Sequence, residues 1–155
     1  MVTASGLVLD IPAGWGEREA GPMRAAALTV PGPDGTEGGN VAFFDFGPRG
    51  AGDADANIAR WASLVLDPNG DPAAPAVARE VHNGFNVAFV ELEGTYMDGP
   101  PGGAKTPREG WALYGAILEG GPNALDVRRT GPREPLAPQG DAWITMIRSA
   151  RAAAN

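Results

Sequence analysis

No cysteine occurs among the 155 residues, so disulfides, thiol catalysis and thiolate-held metals are excluded at once. Histidine occurs once, as His82; a zinc site built on two or three imidazoles has no ligands, and any Ser–His relay must run through that residue. The serines Ser5, Ser63 and Ser149 all lie outside a Gly-x-Ser-x-Gly elbow. Lysine also occurs once, as Lys105, against eleven arginines. With 12 basic and 19 acidic residues the net charge is −7, which repels phosphate backbones and argues against a nucleic-acid partner. No basic amphipathic stretch suits anionic lipid, and no apolar run approaches the roughly 18 residues of a membrane span, so no membrane insertion is expected. Met1-Val2-Thr3 leads straight into a strand-like segment without a signal-type apolar region. The expected compartment is cytoplasmic as the sequence stands, and extracytoplasmic if a targeting segment has been removed.

What is present suits one folded domain over residues 1–155, large enough for a single hydrophobic core. Apolar residues make up 43%, and 23 glycines and 15 prolines punctuate the β-branched and aromatic runs as loop residues. Residues 6–11, 23–30 and 40–46 read as three strands. The period then changes: within residues 53–66, Ile58, Trp61, Ala62 and Val65 fall at helical spacing, behind Asp53 and Asp55 and before Asp67-Pro68.

Residues 76–82 and 85–95 are strand runs separated by Asn83-Gly84, the dipeptide of a type I′ hairpin. The second run and residues 111–118 are apolar on both faces, which predicts central strands covered on both sides. A last strand over residues 124–129 and a closing helix over 141–151 complete the order β-β-β-α-β-β-β-β-α. The expected fold class is α+β: a mostly antiparallel sheet of about six to seven strands flanked by helices.

Pro12-Ala13-Gly14-Trp15, Ala56-Asn57-Ile58-Ala59-Arg60-Trp61, Gly94-Thr95-Tyr96, Gly115-Ala116-Ile117-Leu118-Glu119-Gly120 and Thr130-Gly131-Pro132 follow one another in this order. The series resembles a group of uncharacterised bacterial domains with the PsbP/Mog1-like fold, and the resemblance spans nearly the whole chain. It implies an antiparallel sheet between helices and a role in binding, since PsbP is an accessory subunit of photosystem II and Mog1 binds a small GTPase. Its motifs are turns, a helix seam and strand centres, so it implies no functional residue.

Each constellation with chemical potential fails at a necessary residue or has a plainer explanation. Gly47-Pro48-Arg49-Gly50-Ala51-Gly52 has the glycine spacing of a phosphate loop, but Asp53-Ala54 stands where Lys-Ser/Thr is required. Asp67, Asn69 and Asp71 have the spacing that opens a calcium loop, yet Pro72 replaces the turn glycine and Ala78 the bidentate glutamate. Glu91 and Glu93 share a strand face at roughly 7 Å, a separation that can serve inverting glycoside hydrolysis and is also ordinary on a solvated face. Trp61 and Trp143 fall on helix seams and read as core.

Tyr96 and Trp111 flank the stretch 97–110, which reads as a long loop carrying Lys105 and Arg108, a local basic spot. Tyr96, Lys105, Arg108 and Trp111 are thus the candidate binding residues. The expectation is a non-catalytic, cofactor-free accessory domain that engages a protein partner. A small-ligand or carbohydrate-binding domain, and a carboxylate-dependent hydrolase, are the alternatives.

Overall fold

The computed structural model describes residues 1–4, 6–18, 26–31, 37–45, 54–99, 103–120, 124–132 and 140–152. The glycine-rich stretch 47–52 with Asp53, and Ser5, lie outside the described residues. The elements run β1 (Val2–Ala4), β2 (Leu7–Leu9), β3 (Gly16–Arg18), β4 (Ala26–Pro31), β5 (Glu37–Asp45), α1 (Ala54–Ala62), β6 (Val65–Leu66), β7 (Ala76–His82), β8 (Phe85–Asp98), β9 (Thr106–Glu119), β10 (Leu125–Pro132), α2 (Gly140–Arg148) and β11 (Arg151–Ala152). Every strand pairing is antiparallel. A large sheet has the order β3-β4-β5-β10-β9-β8-β6, with β7 also paired to β8, and a small one has the order β1-β2-β11.

The α+β class with a mostly antiparallel sheet is therefore present, and the described residues hold two helices and more strands than the six to seven expected. The extra ones are short. β6 and β11 have two residues each, and they are strands only because Val65 and Leu66 meet Tyr96 and Thr95, and Arg151 and Ala152 meet Val8 and Leu7. The first helix accordingly ends at Ala62, short of the expected Leu66. Its last turn tightens through Leu64 N–H to the Trp61 carbonyl, and Ser63 Oγ donates to the Arg60 carbonyl at 2.6 Å. Val65 is buried whether it ends a helix or starts a strand, so the apolar spacing alone does not separate the two outcomes.

The two faces of the large sheet bury different clusters. On one, α2 and the small sheet pack Leu7, Leu9, Trp143, Met146 and Ile147 against Phe43, Phe85, Val87, Ala116, Leu118 and Val127. On the other, α1 lays Ile58, Trp61 and Ala62 on Ala88, Val90, Leu92, Leu113 and Ile117. β8 and β9 feed both clusters by alternation, as their two-sided apolar pattern predicts. Trp61 sits directly over Gly115, where a Cβ would collide with its ring.

The β7–β8 hairpin forms as expected. His82 pairs with Phe85, and Asn83 and Gly84 turn with φ of 50° and 84°. Asn83 also donates from Nδ2 to the Ala150 carbonyl at 3.0 Å, which ties the hairpin tip to the chain beyond α2. Asn83→Ala should therefore lose about 1–2 kcal/mol, combining the left-handed backbone cost with a lost hydrogen bond. Asn83→Gly should lose less, because it keeps the turn. Urea denaturation of the two variants checks the ordering.

Candidate binding cleft

The stretch 97–110 is mostly not a loop. β8 runs on to Asp98 and β9 begins at Thr106, so the two 14-residue strands form one long hairpin. The register slips between Gly94–Trp111 and Tyr96–Arg108, where β9 carries one extra residue and Gly110 adopts φ of 71°. This bulge puts Arg108, three positions from Trp111, on the same face as Trp111; plain alternation would oppose them.

Three of the four candidate binding residues are thereby brought together. Tyr96 and Trp111 stack with centroids 5.8 Å apart, and the Arg108 guanidinium lies 5.7 Å from the Trp111 centroid. Arg108 Nε also reaches Asp98 Oδ2 at 3.3 Å. Tyr96 is buried and Trp111 half-buried, so the pair is a packed stack and not an open ring platform. Lys105 stands apart, and its Nζ donates to the Gly99 carbonyl at 3.0 Å.

The calcium candidate is a closed turn. Asp67 Oδ1 accepts the amides of Asn69 and Asp71 at 2.9 and 3.0 Å, and Asp67 N–H donates to the Asp71 carbonyl at 2.8 Å. Among the described residues no group of three His, Asp or Glu could hold a metal ion. Ser63 and Ser149 direct their hydroxyls to the Arg60 and Met146 carbonyls, while the His82 ring faces Glu80.

Glu91 and Glu93 fare differently. They sit on the α2 face of β8, and both line a cleft of about 570 Å³ between α2 and the β7–β8–β9 strands. Phe89, Tyr114, Trp143 and Ile144 supply its apolar surface, and Glu80 and Arg148 its remaining charges. The pairing explains the convergence: Glu91 is opposite Tyr114 on one side and Ala76 on the other, and Phe89 is opposite Ala78. Because residues 76 and 78 are alanines, the cleft opens across β7 to the sheet edge.

The charges around the cleft have distinct states. Arg148 grips Glu80 through Nε to Oε1 at 2.9 Å and Nη2 to Oε2 at 3.1 Å. That fork, helped by His82, holds the Glu80 carboxyl below its ordinary range and raises the pKa of Arg148. Glu91 is exposed on the rim. Beneath the floor, Arg129 is fully buried, its guanidinium 5.2 Å from the Trp15 centroid and 5.6 Å from that of Tyr114. Burial pulls its pKa down to about 10, which leaves a cation at neutral pH that pins the Tyr114 ring.

Sequence reasoning placed Glu91 and Glu93 on one face but did not bring Glu80, Tyr114, Trp143 and Arg148 to them. The hairpin register implied by Asn83-Gly84 already sets residue 80 opposite 87 and residue 76 opposite 91. The arrival of α2 from the far end of the chain has no local signal.

The sequence matches no family model and no curated protein. Its structure is similar to a crystal structure from Bacteroides thetaiotaomicron VPI-5482, with a TM-score of 0.54 at 13% identity, over 100% of this chain and 48% of that one. The chain thus spans about half the length of that neighbour, and at this identity the likeness speaks for the fold alone. No helix among the described residues is long and apolar enough to cross a membrane.

Proposed function

We propose that this chain is a non-catalytic accessory domain that engages a protein partner through the cleft between α2 and β8. The observation that carries the reading is the cleft itself, a concave apolar floor with an acidic rim beside a sheet edge. Phe89 and Ile144, half-buried on that floor, give it accessible apolar contacts over the buried rings of Tyr114 and Trp143. The antiparallel sheet with helices on both faces accords with the PsbP/Mog1-like resemblance, whose members act by binding. The basic spot at Lys105 and Arg108 is less suited to the role than the sequence suggested, because Asp98 and Gly99 already hold both side chains.

The test is a pull-down from lysate of the source organism with the wild-type chain and a Glu91→Lys, Glu93→Lys double variant as baits. A protein retained by the first and lost by the second is the expected result. Retention by both would move the contact elsewhere, and retention by neither would remove the accessory-domain reading. A carboxylate-dependent hydrolase is the second reading, favoured by the single fact that Glu80, Glu91 and Glu93 share the cleft. It requires a glycoside whose turnover disappears in Glu91→Gln while the fold persists.

A further inference from the structure

β7 has a property the cleft does not explain. It pairs with β8 over all seven residues without a bulge, and among the described residues no strand lies on its other side. Residues 76–79 and Val81 are exposed; no lysine, proline or bulge interrupts this edge, and its one outward cation, Arg79, is turned to Asp55 at 2.9 Å. Apart from Met1, the exposed large hydrophobic residues of the described chain are Val77 and Val81, at 41% and 65% exposure. Both lie on this strand and point to its α1 face. A second hollow of about 370 Å³, lined by Arg79, Val81, Asn86 and Glu119 among others, borders the strand on that face. The large cleft opens on the opposite face over Ala76 and Ala78.

Resting on the binding role proposed above, we infer that the occupant is an extended segment of another polypeptide, added as a strand beside β7, whose residues alternate between basic and apolar. An added strand satisfies the outward amides and carbonyls of β7 through its main chain, while alternate side chains enter the hollows on the two faces. On the α1 face its apolar side chains cover Val77 and Val81. On the α2 face a Lys or Arg stem lies over the small Ala76 and brings its cation to Glu91. Arg148 does not compete for that carboxylate, because its fork is spent on Glu80. A second copy of the chain is a poor occupant: its own β7 would present Ala76, Ala78 and Glu80 to an acidic cleft, between two bodies each of charge −7.

The probe is a short synthetic peptide alternating Lys and Val, titrated into the isotopically labelled full chain and followed by the amide signals of residues 76–82. Controls are a Glu-Val peptide and Lys-Val peptides N-methylated at alternate residues in either register. Saturable shifts along β7 are expected, weakened roughly tenfold when methylation removes the main-chain donors facing β7. Glu91→Gln and raised salt should each weaken binding several-fold. Three results would overturn the inference: no shift along β7, equal binding of the Glu-Val peptide, or indifference to methylation in both registers. Failure here with a successful pull-down leaves the binding role standing and rejects only the strand-addition mode. Success here with an empty pull-down keeps the strand-addition mode and rejects only the cleft carboxylates as a contact for a partner in that lysate.

Discussion

Gly115→Ala is expected to lower the unfolding free energy by roughly 3 kcal/mol, at the upper end of the range for overpacking a core. Gly115 faces α1 from β9, between Val90 and Arg128 on the neighbouring strands. A Cβ there would clash with the Cζ3 edge of the Trp61 ring, a rigid side chain only 5% exposed. The ring has to move, and with it the nine-residue α1, too short to hold its shape without packing. A melting point lower by the order of 10 °C follows for a chain of this size. The double variant with Trp61→Leu should recover part of the loss, because the smaller side chain frees the space the new methyl needs. A thermodynamic cycle measures that coupling. If Gly115→Ala melts within experimental error of the wild type, the ring is not seated on the glycine.

The second large effect runs in the stabilising direction. Asp126 lies on β10, only 3% exposed, between Phe44 of β5 and Ile117 of β9. Burial pushes its pKa up to about 6, with Arg60 opposing the rise and Glu119 adding to it. The folded state then holds this proton more tightly than the unfolded chain, so Asp126's contribution to stability falls as pH rises from about 4 to 6 and stays low above that window. Asp126→Asn removes the penalty. The variant should match the wild type near pH 4 and exceed it by on the order of 2 kcal/mol at pH 7. Paired urea melts across that range check the sign as well as the size. A constant difference from pH 4 to 8 would show that Asp126 titrates normally in the fold.

Local chemistry announced the elements that local chemistry builds. Asn83-Gly84 declared its hairpin, the two-sided apolar runs declared β8 and β9 as central, and the seams of Trp61 and Trp143 declared the two helices. What stayed hidden depends on partners distant in the chain. Val65–Leu66 and Arg151–Ala152 are extended only because another strand receives them. Thr106 to Gly110 are exposed and include a proline, so their composition reads as loop, yet pairing with β8 needs no burial. Arg129 was hidden for a different reason. Alternation with Leu125 and Val127 places it on the core face, but a cation in a core is unexpected until Trp15 and Tyr114 are seen around it.

The candidate site divides in the same way. Glu91 and Glu93 were visible as a same-face pair, whereas the cleft they face also needs the small Ala76 and Ala78 of β7 and the side chains of α2. No single stretch of sequence contains that arrangement.

The position of β10 between β5 and β9 bears on how quickly the molecule assembles. β8, β9 and β10 are successive neighbours that can zip together from their turns. β5 joins them only when Asp45 meets Leu125, about 80 positions along the chain, and closing so large a loop costs entropy before any contact returns it. The C-terminal meander should therefore acquire amide protection early in refolding. The β3–β4–β5 half docks afterwards, in the slow step, across the seam where Val41 and Phe43 meet Arg129 and Val127.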